Sequence, residues 1–192
     1  MPRRNRKRNR MRNFDYSSNN LYFITACVDD RRHFFGGIYR KTMCINCVGS
    51  IIWQQWEWLI QRYSYLIPHA FIVMPNHIHA VLEIDSGLVL SNDGVAHTRR
   101  RDRSRPVPTD VANTPNNITN TNIQSTKIKP LSELIGAFKT TASKQIHQIG
   151  FPQFAWQRSF HDRIIRNERA YQNIINYTIH NPQQWHRDRN NV

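Results

Sequence analysis

The sequence predicts an α+β fold: a ferredoxin-like antiparallel sheet with helices packed on one face and a further helix at the C-terminal end. Three observations carry this. The stretches "LYFITACV" (21–28) and "HAFIVMPNHIHAVLEI" (69–84) are rich in β-branched and aromatic residues. Residues 50–63 and 131–149 instead repeat apolar side chains at helical spacing. The resulting order of strand, helix, strand, strand, helix, strand opens a βαββαβ unit. A chain of 192 residues is long enough to close one such core.

The elements follow in order. Residues 1–13 hold seven Arg or Lys and no apolar period, so they read as a flexible basic arm. The first strand comes next. A helix over 50–63 starts from Ser50 as N-cap and carries Ile52, Trp53, Trp56, Leu59, Ile60 and Tyr63 on one stripe, with Pro68 beyond its end. On that spacing Trp53 and Trp56 belong to the core and Trp58 to the surface. Pro75-Asn76 suits the two central positions of a tight turn, which makes 69–84 a β-hairpin. Residues 86–129 are rich in Ser, Asn, Thr, Asp and Pro and include "RRRDRSR" at 99–105, the pattern of a mobile insert. A helix resumes with Leu131, Leu134, Ile135, Phe138, Ala142, Ile146 and Ile149 on one face and Gly150 as its cap. One or two strands are expected in 154–166. The last helix is expected over 168–181, with Asn167 as N-cap and Pro182 as stop. A single domain over 14–186, interrupted by the insert, with a short tail at 187–192, accounts for the chain.

The charge narrows the function. Lys and Arg number 27 against 13 Asp and Glu, a formal net charge of +14. A balance this basic calls for a polyanionic partner, nucleic acid before an anionic membrane surface. No apolar run approaches a membrane span, and the basic start has no apolar core behind it to make a secretory signal. Cys27, Cys44 and Cys47 read as reduced thiols of a cytosolic protein. "CINC" at 44–47 has zinc-like spacing, but no second ligand pair follows it.

The hairpin carries the chemistry. In 77–84, Ile78, Ala80, Leu82 and Ile84 share one face, and His77, His79, Val81 and Glu83 share the other. The helices should pack on the isoleucine side, with both histidines looking out from the opposite side. Imidazoles at i and i+2 sit roughly 7 Å apart along a strand and can reach one metal ion. A lone His-x-His is also a common surface feature, so further ligands are needed. The last helix offers Tyr177 and Asn181, four apart on one face, with His180 beside them. Imidazoles prefer borderline metals, while an amide oxygen and phosphate oxygens suit Mg²⁺ or Mn²⁺; such a mixed set fits a metal whose task is to polarise a phosphodiester.

"MPNHIHAVLEI" followed far downstream by "INYTIHNPQQW" resembles the REP-associated tyrosine transposases, which belong to the insertion-sequence-200-like group of HUH single-strand nucleases. "YFITACVDDRRHFFG" resembles their first strand and loop, "LSELIGAFKTTASKQI" their middle helix, and 156–185 their C-terminal block. The resemblance covers 21–85 and 130–186; the arm and the insert lie outside it. It implies an RRM-like sheet, a metal held by His77, His79 and Asn181, and Tyr177 as nucleophile. It also implies cleavage and rejoining of single-stranded DNA at hairpins of repetitive extragenic palindromes through a 5′-phosphotyrosine. It points to a bacterial, cytoplasmic, nucleoid-associated protein, a monomer or homodimer, with no membrane partner. No nucleotide cofactor is expected, since no G-x-x-x-x-G-K-[ST] loop is present.

Some assignments stay open at this point. Tyr171 is a rival nucleophile, but six helical residues turn it about 120° away from Tyr177. Asn181 precedes proline, which disfavours helical backbone there, so His180 or Glu83 are its substitutes as third ligand. Arg3, Arg4, Arg6, Lys7 and Arg8 of the arm, with Lys139, Lys144, Arg163 and Arg166, are the candidate DNA contacts. The rival class is a non-catalytic DNA- or RNA-hairpin-binding module on the same sheet.

Overall fold

The structure, a computed structural model, describes residues 10–90 and 127–191. The arm residues Arg3, Arg4, Arg6, Lys7 and Arg8 and the basic cluster at 99–105 lie outside them.

Four strands form one antiparallel sheet: β1 (Asn20–Cys27), β4 (Leu66–Met74), β5 (His77–Ile84) and β6 (His161–Ile165), in the order β4-β5-β1-β6. α1 (Cys47–Arg62) joins β1 to β4 across the intervening β5, and α3 (Leu131–Gln148) joins β5 to β6 across β1. Each helix therefore spans a split βαβ pair, the ferredoxin-like arrangement expected from the element order.

Alternation decides what each face does. Tyr22, Ile24 and Ala26 of β1 and Ile78, Ala80, Leu82 and Ile84 of β5 are buried in one cluster with Ile52, Trp56 and Leu59 of α1 and Leu134, Phe138 and Ile146 of α3. Each large side chain there contributes roughly 1.5–3 kcal/mol relative to exposure. The other face is covered too. α4 (Glu168–His180) packs Ile174 against Val81 and Ile165, with Phe23, Ala70 and Tyr171 closing a smaller cluster. The sheet is thus sandwiched, and the histidine face looks into a second layer instead of solvent.

Several elements differ from expectation. A short hairpin, β2 (Gly36–Tyr39) with β3 (Thr42–Ile45), follows the first strand. Its two-residue turn puts Arg40 at φ 47° and Lys41 at φ 65°, the left-handed pair that such turns normally fill with Asn-Gly. α1 begins earlier than Ser50: Asn46 is its N-cap and accepts from Gly49 N–H. Trp56 is buried, whereas Trp53 is 42% exposed, because the helix turns Trp53 to the rim beside Phe71. In the stretch 154–166 only one strand forms, β6, together with an isolated bridge from Trp156 to Val28. α3 ends where Gly150 takes φ 97°, as its cap requires, but Ile149 stays exposed. The insert is anchored at both described ends. α2 (Gly87–Leu90) forms, Val89 and Ile128 pack on the core, and Lys129 N–H donates to the Tyr65 hydroxyl.

Candidate active site

The β4–β5 turn builds the site from its backbone outward. Phe35 N–H donates to Pro75 O and Val28 N–H to Asn76 O, which pins the turn at both central residues. The Asn76 amide then donates to the carbonyls of Arg31 at 2.9 Å and Asn190 at 2.8 Å. Its oxygen is left to accept from His77 Nδ1 at 2.9 Å. That bond fixes the His77 tautomer: Nδ1 carries the hydrogen and Nε2 presents its lone pair. Thr25 sits opposite His79 in register and its hydroxyl holds His79 Nδ1 at 2.8 Å. The two Nε2 atoms meet 3.1 Å apart.

Both imidazoles are buried, at 0% and 2% exposure. The cause is the chain beyond α4. A 3-10 segment, Asn181–Arg187, folds back over the sheet and stacks Trp185 on His77 at 5.9 Å between ring centroids. Burial pushes the His77 pKa down to about 4. It pushes His79 well down too, and the neighbouring His77 adds to the shift. Both rings are neutral at pH 7, as metal ligands must be.

α4 brings the hydroxyl. Tyr177 Oη lies 3.3 Å from His79 Nε2 and donates to Asp188 Oδ2 at 3.4 Å. Its ring stands edge-on to Phe23, which in turn stacks on His79. One turn on, Asn181 keeps helical backbone at φ −56°, ψ −40° despite the following proline. Its amide donates to Asp188 Oδ2 at 3.0 Å, and Asn190 N–H donates to Oδ1 at 2.7 Å. Burial alone would raise the Asp188 pKa, but these donors and the nearby histidines outweigh it and hold the carboxyl below its ordinary value. Tyr177 moves the other way, raised by burial first and then by the Asp188 charge.

The donor set fits a divalent metal. The ligating atoms of His77, His79 and Asp188 all lie within 4.8 Å of one another. A 3.1 Å gap between the two Nε2 atoms matches adjacent corners of a metal polyhedron with bonds of about 2.1 Å. Asn181 Oδ1 is buried with no hydrogen-bond partner among the described residues, and it belongs to the same amide that grips Asp188. An orphaned acceptor beside the His77 Nε2 lone pair, a second imidazole and a carboxylate is a site short of positive charge.

No family model matches the chain. It is 25% identical over 179 residues to an uncharacterized protein of Haemophilus influenzae, covering 93% of this chain and 89% of that one. A solved REP-associated tyrosine transposase, bound to a REP hairpin, superposes with a TM-score of 0.50 at 15% identity, covering 92% of this chain and 73% of that one. The fold is that of a REP-associated tyrosine transposase. A second solved structure, from Deinococcus radiodurans R1, aligns over 90% of this chain with a TM-score of 0.44, too low to add to that conclusion.

On this transposase fold the structure brings His77, His79, Tyr177 and Asn181 together. The two substitutes for Asn181 lie elsewhere. His180 Nδ1 bonds the Asn176 carbonyl, and Glu83 bonds His69 Nε2 at 2.9 Å. His69 in turn meets the Tyr171 hydroxyl at 3.0 Å, so Tyr171 is tied to β4 and away from the histidine pair. Lys139 and Lys144 are on α3, across the sheet from the pair. Lys139 Nζ donates to the Gln157 carbonyl at 2.6 Å, and Lys144 is exposed. Arg163 and Arg166 are exposed on and just after β6, on the approach to α4. Cys44 and Cys47 are exposed free thiols. Asp188 is the residue sequence reasoning missed. The available signal was that it is the only acid after Glu168.

Proposed function

We propose that the protein is a metal-dependent, single-strand DNA transposase that cleaves and rejoins DNA at palindromic hairpins, with Tyr177 as the nucleophile. The observation that carries this is the tyrosine hydroxyl 3.3 Å from one imidazole of a buried His-His-carboxylate set. The REP hairpin bound by the protein of shared fold supports a hairpin substrate, and a net charge of +14 supports a polyanion.

His77, His79 and Asp188, with Asn181 Oδ1, would hold Mn²⁺ or Mg²⁺, which when bound would polarise the scissile phosphodiester and oppose the rise that burial imposes on the Tyr177 pKa. The chain's own residues do the rest. Asn76 holds the His77 tautomer, and Asn76 and Thr25 together hold the two ring planes. Phe23 stacks on His79 and Trp185 on His77, walling the two imidazoles. Tyr177 Oη attacks the phosphorus as the P–O3′ bond breaks, forming the phosphotyrosine ester. The phenol proton passes to Asp188 Oδ2. The departing 3′-oxygen takes up a proton from solvent or from Asp188 and leaves as a hydroxyl. That hydroxyl can attack the ester again, so strands rejoin without ATP.

The test is an SDS-resistant protein–DNA adduct on a single-stranded hairpin with Mn²⁺. An adduct is expected that chelator or Tyr177→Phe removes. Hairpin binding with no adduct under any divalent metal would favour the non-catalytic hairpin-binding module instead.

A further inference from the structure

At the far end of α4 from the histidines, a cavity of about 350 Å³ opens on the outer edge of β6. Among the described residues β6 pairs only with β1, so its outer edge carries no further strand there. The cavity straddles it: Arg163 lies opposite Phe23 on the α4 face, and Asp162 lies opposite Ile24 on the other. Tyr16, Ile164 and Ala170 give it apolar walls, and Asp162, Arg163 and Arg166 give it polar groups. Asp162 Oδ1 is buried and has no hydrogen-bond partner among the described residues. Arg10, whose guanidinium lies 5.1 Å from the Phe160 ring, adds a further positive charge nearby.

This lining is wrong for a bare phosphate, which has no use for apolar walls. It suits a flat heteroaromatic ring attached to an anionic backbone. Arginine forks complement the O6 and N7 acceptors of guanine, and a carboxylate oxygen complements its neighbouring N–H donors. The other three bases do not offer two acceptors beside two donors. Position agrees. Ala170 and Tyr177 are seven residues apart on α4, two turns and about 10 Å, so they share one helix face. That span is about three stacked nucleotides, and fewer in an extended strand.

We propose that this cavity holds one unpaired guanine of the strand that Tyr177 cuts, about one to three nucleotides from the scissile phosphate. The assignment rests on the function proposed above, and it makes Asp162 and Arg166 residues that choose the cleavage site.

The test measures binding alone, in chelator, with Tyr177→Phe protein. The probes are short oligothymidines carrying one central guanine, adenine, cytosine or abasic site. The guanine probe is expected to bind about tenfold tighter than the others. Asp162→Asn is expected to bring that ratio close to one. Arg166→Ala is expected to do the same from an exposed position where folding is not at stake. Equal affinities for all probes, or a guanine preference that survives both substitutions, overturn the assignment. Such a result alongside a normal wild-type adduct removes the pocket and leaves the nuclease. A guanine preference with no adduct does the reverse.

Discussion

Replacing Asp188 by asparagine keeps the shape of the side chain and removes its charge. Oδ1 takes the shorter bond, from Asn190 N–H at 2.7 Å, so the variant's oxygen stays there and its amide group faces Asn181. Two amide donors then oppose each other in a place where the Asp188 side chain is only 2% exposed. Loss of one hydrogen bond to a charged acceptor costs about 1.5–3 kcal/mol. The metal-free protein should lose that much stability by urea titration. The effect on metal should be larger. Groups that merely support a ligand are worth about 10–100-fold in affinity, so a ligand itself should exceed the upper end, about 2.8 kcal/mol. Calorimetric titration with Mn²⁺ reads this directly. A variant that is less stable but binds Mn²⁺ within about threefold of wild type would refute the reasoning. Asp188 would then be only a strut for Asn181.

Three further outcomes follow from the same contacts. Asn76→Ala removes two bonds to backbone carbonyls and the one that sets the His77 tautomer; it should cost roughly 2–4 kcal/mol in urea and weaken Mn²⁺ binding. The folded His77 pKa of about 4 lies below the unfolded 6.5, so below pH 6.5 the unfolded chain binds more protons than the folded one. Metal-free stability should therefore fall as pH drops from about 6.5 to 4, by ~3 kcal/mol from His77 alone with His79 adding in the same direction, and a flat urea midpoint across that window would contradict it. Tyr171→Phe loses its bond to His69 and should lower stability by about 1 kcal/mol while leaving Mn²⁺ affinity unchanged, which a thermal melt with a parallel titration checks.

What the sequence revealed and what it hid have physical reasons. The alternation in 77–84 assigned both faces of β5 correctly, because one face is purely apolar and the other carries the histidines. The stripes on α1 and α3 were legible for the same reason. The β2–β3 hairpin was not, since Arg40-Lys41 occupies a left-handed turn that composition assigns to Asn or Gly. The burial of His77 and His79 was also hidden. It depends on the segment after Pro182 folding back, and that segment has no apolar period of its own. Trp185 and Asp188 reach the site through tertiary contacts: a ring stack on His77 and a carboxylate gripped by Asn181 and Asn190. The Tyr177–Asn181 pair was readable because four helical residues are one turn.

If Tyr177 is the nucleophile, it carries the covalent bond to DNA, and mapping that bond decides the matter. Hairpin DNA is incubated with the protein and Mn²⁺, the adduct is digested with protease and nuclease, and the nucleotide-bearing peptide is sequenced by mass spectrometry. A phosphotyrosine linkage is expected at Tyr177 and none at Tyr171. A linkage at Tyr171, or an adduct that persists in Tyr177→Phe, would contradict this assignment.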